Sequence, residues 1–191
     1  MSPIIKDDIL AVAVEASLAA SDLIMEAASF PRVANYKGRT DFVTKTDIHV
    51  ERILIDELSK SKKNYSFITE ESGKINNKDK ENFWIIDPID GTTNFLHGIP
   101  HFAICIAHMS NNEIISGLIF DPIKDEMFFS EKNKGAYLNN QRLRVSKKNS
   151  TEDCLFSSNH EGVKFSDLNM RYSGCASLDL AYVASGRLDG F

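Results

Sequence analysis

The sequence predicts an α/β protein of the α+β kind, with an antiparallel meander after its helices, and three observations predict it. Two long stretches near the start repeat apolar residues at helical spacing. A series of short β-rich runs follows, separated by turn residues. One apolar run leads straight into an acidic motif, DPIDGT at residues 87–92.

The chain has 191 residues, 42% hydrophobic and 26% charged, enough for one domain or two small lobes with a real core. Its net charge is −5, from 22 basic and 27 acidic residues, and no dense basic block stands out. Lys60, Lys62 and Lys63 read as a solvated helix end, so nucleic acid is not an expected partner. Cys105, Cys154 and Cys175 are odd in number and widely spaced, which predicts reduced thiols in a cytoplasmic protein, each a small buried apolar residue. Lys6, Asp7, Asp8, Glu15, Asp22 and Glu26 interrupt the first apolar residues, so neither a signal peptide nor a membrane span is expected.

Residues 4–28 read as a helix, with Ile5, Ile9, Val12, Ala16, Ala19 and Leu23 on one face and Pro31 ending it. A polar link over 35–40 leads to a second helix whose apolar face is Val50, Ile53, Leu54 and Leu58, with Thr46 or Asp47 as its N-cap. Residues 65–69 form a strand that delivers Glu70 and Glu71 to a turn, Ser72-Gly73. Adjacent surface glutamates are common. Their weight comes from repetition, because the next strand, 83–86, also ends in acids, Asp87 and Asp90.

At Asp87 the strand is expected to break into a turn, where Pro88 removes an N–H and Gly91 lets the backbone approach a ligand closely. The same residue types make ordinary surface turns. Two carboxylates converging from a turn suit a hard cation such as Mg²⁺. Gly91, Thr92 and Thr93 begin a short helix whose free N–H groups favour phosphate. Strands then follow at 101–109, 114–120, 126–132 and 136–138 as a meander. His97, His101 and His108 lack metal-ligand spacing and read as structural or surface residues. A polar stretch at 146–153 marks the boundary between an N-terminal lobe, 1–145, and a second lobe, 146–191, which holds a strand at 154–158 and a helix at 176–186.

With those residues in place, the chain resembles the inositol monophosphatase family, the Mg²⁺-dependent, lithium-sensitive phosphatases. The matching pieces are TKTD ending at Asp47, ITEESG around Glu70, WIIDPIDGTTNF from Trp84, GLIFDP ending at Pro122, and SGCASLDLAYVASGRLDGF from Ser173. The resemblance implies a layered sandwich of alternating helices and sheets, of the sugar-phosphatase type, and a homodimer. It implies that Glu70, Asp87, the Ile89 carbonyl and Asp90 bind two or more Mg²⁺ ions, with Asp87 bridging two of them and Li⁺ inhibiting. Asp47 and Thr92, with Glu70 beside them, match the group that activates water for in-line attack on phosphorus. Gly91, Thr92, Thr93 and Asp90 match the phosphate side of the site, and Ala176 the sugar or polyol pocket.

The implied substrate is a small phosphorylated polyol or sugar, first inositol 1-phosphate. Fructose 1,6-bisphosphate, histidinol phosphate and a nucleotide 3′-phosphate are the alternatives. Two departures qualify the match: the stretch between Ser158 and Arg171 is short for the family, and no Trp-Asp motif follows GRLDGF. That motif carries a further ligand of the second metal, so the second lobe is expected to be truncated. Its activity is then reduced or absent, unless the natural protein has residues that this sequence omits. Two readings of another class stay open beside the enzyme: a silent fragment serving as an interaction or dimerisation module, and a metal-binding protein without turnover.

Overall fold

The computed structural model describes residues 8–29, 39–159 and 168–191. Helices α1 (Asp8–Ser29) and α2 (Arg39–Lys62) pack on each other and on one face of a sheet. The buried stripe of α1 is Leu10, Ala13, Ala16, Ala20 and Ile24, about one position round from the expected one; Ile9, Val12 and Leu23 flank it, partly buried. Alanine allows this, because a helix with small residues on several faces can rotate until its largest apolar side chains meet the core. Residues 4–7 and 30–38, including Ile5, Pro31 and most of the polar link, lie outside the described residues.

The second helix begins at Arg39, so neither Thr46 nor Asp47 caps it. Cap preference is worth only about 1 kcal/mol and yields to tertiary packing. Thr46 and Asp47 are instead buried inside the helix, one turn before Val50, Leu54 and Leu58, which are fully enclosed.

The sheet has eight strands in the order β2-β1-β3-β4-β5-β6-β7-β8. They are β1 (Ser66–Thr69), β2 (Gly73–Ile75), β3 (Asn82–Asp90), β4 (Ala103–Ser110), β5 (Glu113–Asp121), β6 (Glu126–Glu131), β7 (Gly135–Leu138) and β8 (Gln141–Arg142). From β3 onward the strands form the antiparallel meander that their short connections require. The exception is β1, which lies parallel to β3 with Thr69 opposite Ile86. Strands β2 and β8 sit at the two edges, and their short, exposed sequences carry no period-2 apolar signal. They escape a reading by pattern for that reason.

Alternation along the strands sends Trp84, Ile86, Ile104, Ile106, Leu118, Phe120 and Phe129 toward α1 and α2. The other face carries Ala103, Ile119, Phe128 and Leu138, covered in part by α4 (Ala176–Ala184) through Leu178 and Ala181. The short helix α3 (Thr92–His97) follows β3. A small parallel pair, β9 (Leu155–Ser157) and β10 (Asn169–Arg171), completes the described chain, with Phe156 bridged to Gly190. Helices on both faces of a sheet make the layered α/β arrangement. Beside α4 an apolar cavity of about 430 Å³ runs along the sheet, with Asp87 and Ser177 in its lining.

Leu54 is fully buried where α2 meets the sheet. Leu54→Ala should therefore cost about 2–5 kcal/mol, read as a lowered urea midpoint with an unchanged slope.

Candidate functional site

The strand β3 does not break at Asp87. It continues to Asp90 through a bulge, with Asp87 opposite Cys105 and Asp90 opposite Ala103. A proline within a sheet needs such a place, since it cannot supply a ladder N–H. The Asp87 carboxylate accepts the Ile89 N–H at 3.1 Å, which braces the bulge from within. The turn comes at Gly91, whose backbone is left-handed at φ 90°. A Cβ there would stand 3.0 Å from the His101 carbonyl oxygen and 3.2 Å from Cys175 Cβ, so the position has room only for glycine.

Parallel pairing of β1 with β3 ends both strands at one edge and brings Glu70 beside Asp87. Burial pushes the Asp87 carboxyl well above the ordinary carboxylate range, helped by the charge and hydrogen bonding of Glu70 and then by Asp90. Asp47 approaches from α2, only 3% exposed, and its Oδ1 has no hydrogen-bond partner among the described residues. Burial first, and then Glu71, Glu70 and Glu51, push Asp47 up to about 7. Six acids from two strand ends and one helix thus share one end of the sheet. The neighbours that act most strongly on Asp47 and Asp87 are themselves acidic.

Asp90 is tied to the other side. Its Oδ2 accepts the Ser177 N–H at 2.6 Å and the Cys175 thiol at 3.2 Å, so it caps the start of α4 from a distance of 87 residues in sequence. Ala176 lies between these two contacts, as the first residue of α4. Thr92 donates its hydroxyl to the Ile89 carbonyl at 2.8 Å. Gly91 caps α3, and the first amides of that helix, Thr92 and Thr93, have no partner within it. Among the described residues no three acidic, histidine or cysteine side chains form a ready cage for an ion. Glu70 and Asp87 are brought together; Asp90 faces α4.

Three supporting residues were not among the expected site residues: Asn94 and Asp179 lie inside the motifs at 84–95 and 173–191, and Glu51 lies in none. Glu51 is 1% exposed and accepts the Glu71 and Ser72 amides at 2.9 and 3.1 Å. Its sequence signal is a second acid, one helical turn after Asp47, on the face that continues with Leu54 and Leu58. Asn94 donates to the His101 and Ser173 carbonyls, both at 2.8 Å, joining α3 to the segment before α4. Asp179, fully buried, accepts the Ser157 and Ser173 hydroxyls at 2.6 Å.

Of the histidines, His97 is exposed, and His108 is buried between Tyr65 and Trp84 with Nε2 3.3 Å from Asn82. His101 stands edge-on to Tyr182, and burial holds it below the ordinary imidazole range. Only Cys175 is fully buried; Cys105 and Cys154 are partly exposed, and all three are free thiols. No helix among the described residues is long and apolar enough to cross a membrane.

The inositol monophosphatase family matches residues 5–191. The inositol-1-monophosphatase of Rhizobium meliloti is 42% identical over 170 residues, covering 81% of this chain and 64% of that protein. The Nus factor SuhB of Escherichia coli K12 is 37% identical over 199 residues, covering 95% of this chain and 74% of its own. In structure, the extragenic suppressor protein suhB from Bartonella henselae superposes with a TM-score of 0.84 at 36% identity, over 95% of this chain and 75% of that one. The chain thus spans under two thirds of the length of the Rhizobium relative.

An acid whose folded pKa is raised costs stability above that pKa, and the cost vanishes as pH falls through the unfolded value. In the metal-free protein at pH about 8, Asp47→Asn should therefore raise the unfolding free energy by about 1–2 kcal/mol. The gain should shrink from about 7 down toward 3.8, followed by urea denaturation in a chelator.

Proposed function

The chain belongs to the inositol monophosphatase family, and from that premise we propose that it hydrolyses a small phosphate monoester, inositol 1-phosphate first, in a Mg²⁺-dependent reaction. The observation that carries this reading is the crowding of Glu70 against Asp87 beside the unpartnered Oδ1 of Asp47. Negative charge packed that closely is relieved by a divalent cation, and carboxylate and carbonyl oxygens are the donors that Mg²⁺ prefers. Mg²⁺ characteristically completes its octahedron with waters and the substrate's own phosphate, so the protein supplies only some of its donors.

Glu70, Asp87, the Ile89 carbonyl and Asp90 are the residues that would hold the ions. Bound Mg²⁺ would supply charge neutralisation at the phosphate and a water of lowered pKa. Asp47 Oδ1, free to accept, would orient the attacking water and hold its proton. Thr92 keeps its own proton on the Ile89 carbonyl, which leaves its oxygen lone pairs for the same water. The Gly91, Thr92 and Thr93 amides would receive phosphate oxygens. Ala176, set beside Asp90 by the Cys175 and Ser177 contacts, would border the alcohol of the substrate.

A homodimer in a reducing, cytoplasmic setting belongs to the same reading, and three free thiols are consistent with it. A second reading, a protein factor without turnover, has one observation behind it: a relative covered over 74% of its length is named a Nus factor.

The deciding experiment is phosphate release from inositol 1-phosphate, with and without Mg²⁺ and with Li⁺ added. Release should need Mg²⁺ and fall with Li⁺, and Asp87→Asn should lower it by about 100-fold or more while the fold persists. Unchanged turnover in that variant would sink the reading. No release from a folded protein would favour the second one.

A further inference from the structure

We propose that Glu51 is a positioning residue for the candidate metal centre: from the interior of α2 it grips the turn after β1 and so holds Glu70 against Asp87. The proposal rests on the Mg²⁺ reading above and adds to it the device that sets the site's geometry. Glu51 is 1% exposed, and its two oxygens divide their work, Oε2 accepting the Glu71 N–H at 2.9 Å and Oε1 the Ser72 N–H at 3.1 Å. A carboxylate spanning two consecutive amides fixes both peptide planes, and with them the direction in which β1 ends.

Little else restrains that turn. Glu70, Glu71 and Ser72 are all exposed, and the hairpin beyond them has three paired positions and the Thr69 hydroxyl on the Gly73 carbonyl at 3.2 Å. Glu70 stands one residue past Thr69, whose partner Ile86 precedes Asp87, so a slip of the turn moves Glu70 off its neighbour. The choice of residue points the same way. Positions 50, 54 and 58 of α2 are buried and apolar, and an apolar side chain at 51 would avoid the desolvation cost of a carboxylate. Among the described residues, the two amides are the hydrogen-bond partners that the acid takes there. Asp47 projects one helical turn earlier on the same face, so a single helix sets both Asp47 and, through Glu51, Glu70.

The test is Mn²⁺ uptake, followed by electron paramagnetic resonance, in the full chain and in Glu51→Gln, Glu70→Gln and the double variant, with urea denaturation of each metal-free form. Glu51→Gln keeps the size but turns one acceptor into a donor, which an amide N–H cannot use. It should weaken Mn²⁺ binding by about 10–100-fold, and the same change in the Glu70→Gln background should add less than about twofold, since both act through one carboxylate. Equal Mn²⁺ binding by wild type and Glu51→Gln would overturn the proposal and leave the metal reading standing. An undiminished loss in the double variant would also overturn it. No Mn²⁺ uptake by wild type would remove both. If Glu51→Gln does not fold, amide exchange in the wild-type protein decides: slow exchange at Glu71 and Ser72 supports the grip, and exchange at the free-peptide rate overturns it.

Discussion

Like charge held together against its own repulsion is the constraint on which this structure turns. Glu70 and Asp87 meet because β1 runs parallel to β3 in an otherwise antiparallel sheet, and Asp47 joins Glu70 and Glu71 from α2 at the same end of the sheet. None of these acids would choose that company in water. The backbone ladder and the apolar contacts of Val50, Leu54, Phe67, Trp84 and Ile86 hold them there. The core thus offsets the repulsion at the sheet's end, the pattern that a preorganised binding site would require.

The bulge in β3 gives that end its shape. Pro88 removes one donor from the ladder, Asp87 braces the Ile89 amide, and Gly91 turns the chain where any Cβ would meet His101 and Cys175. The result is an acid on either side of one short irregularity. Asp87 faces β1, and Asp90 faces α4. Asn94 and Asp90 then bind the segment around 173–177 to the end of β3, so residues about 80 positions apart in sequence form one wall. The apolar cavity between α4 and the sheet opens beside that wall and shares Asp87 and Ser177 with it.

Much of the architecture was legible in the chain. Helical spacing located α1 and α2, a run rich in Ala, Leu and Val located α4, and short runs between turn residues located β4 to β7. The failures have two causes. The N-cap placed at Thr46 or Asp47 and the strand break placed at Asp87 rested on local preferences worth about 1 kcal/mol, which packing and pairing overrode, whereas β2, β8 and β10 are too short and exposed to carry a pattern. The stripe of α1 was placed one position off, since alanine marks no face strongly.

By itself, the sequence determined which residues are chemically able to form the site: acids at two strand ends, a glycine that must turn, hydroxyls beside it, and one family's motifs in order. Only the tertiary structure decided which of them meet. Parallel pairing put Glu70 on Asp87, capping drew Asp90 to α4, the Thr92 hydroxyl settled on the Ile89 carbonyl, and Glu51, which no motif marks, closed on the turn after β1. The physical reason is range. Propensity and spacing act over a few residues, whereas a hydrogen bond between positions 51 and 72, or 90 and 177, exists only once the core has fixed both ends.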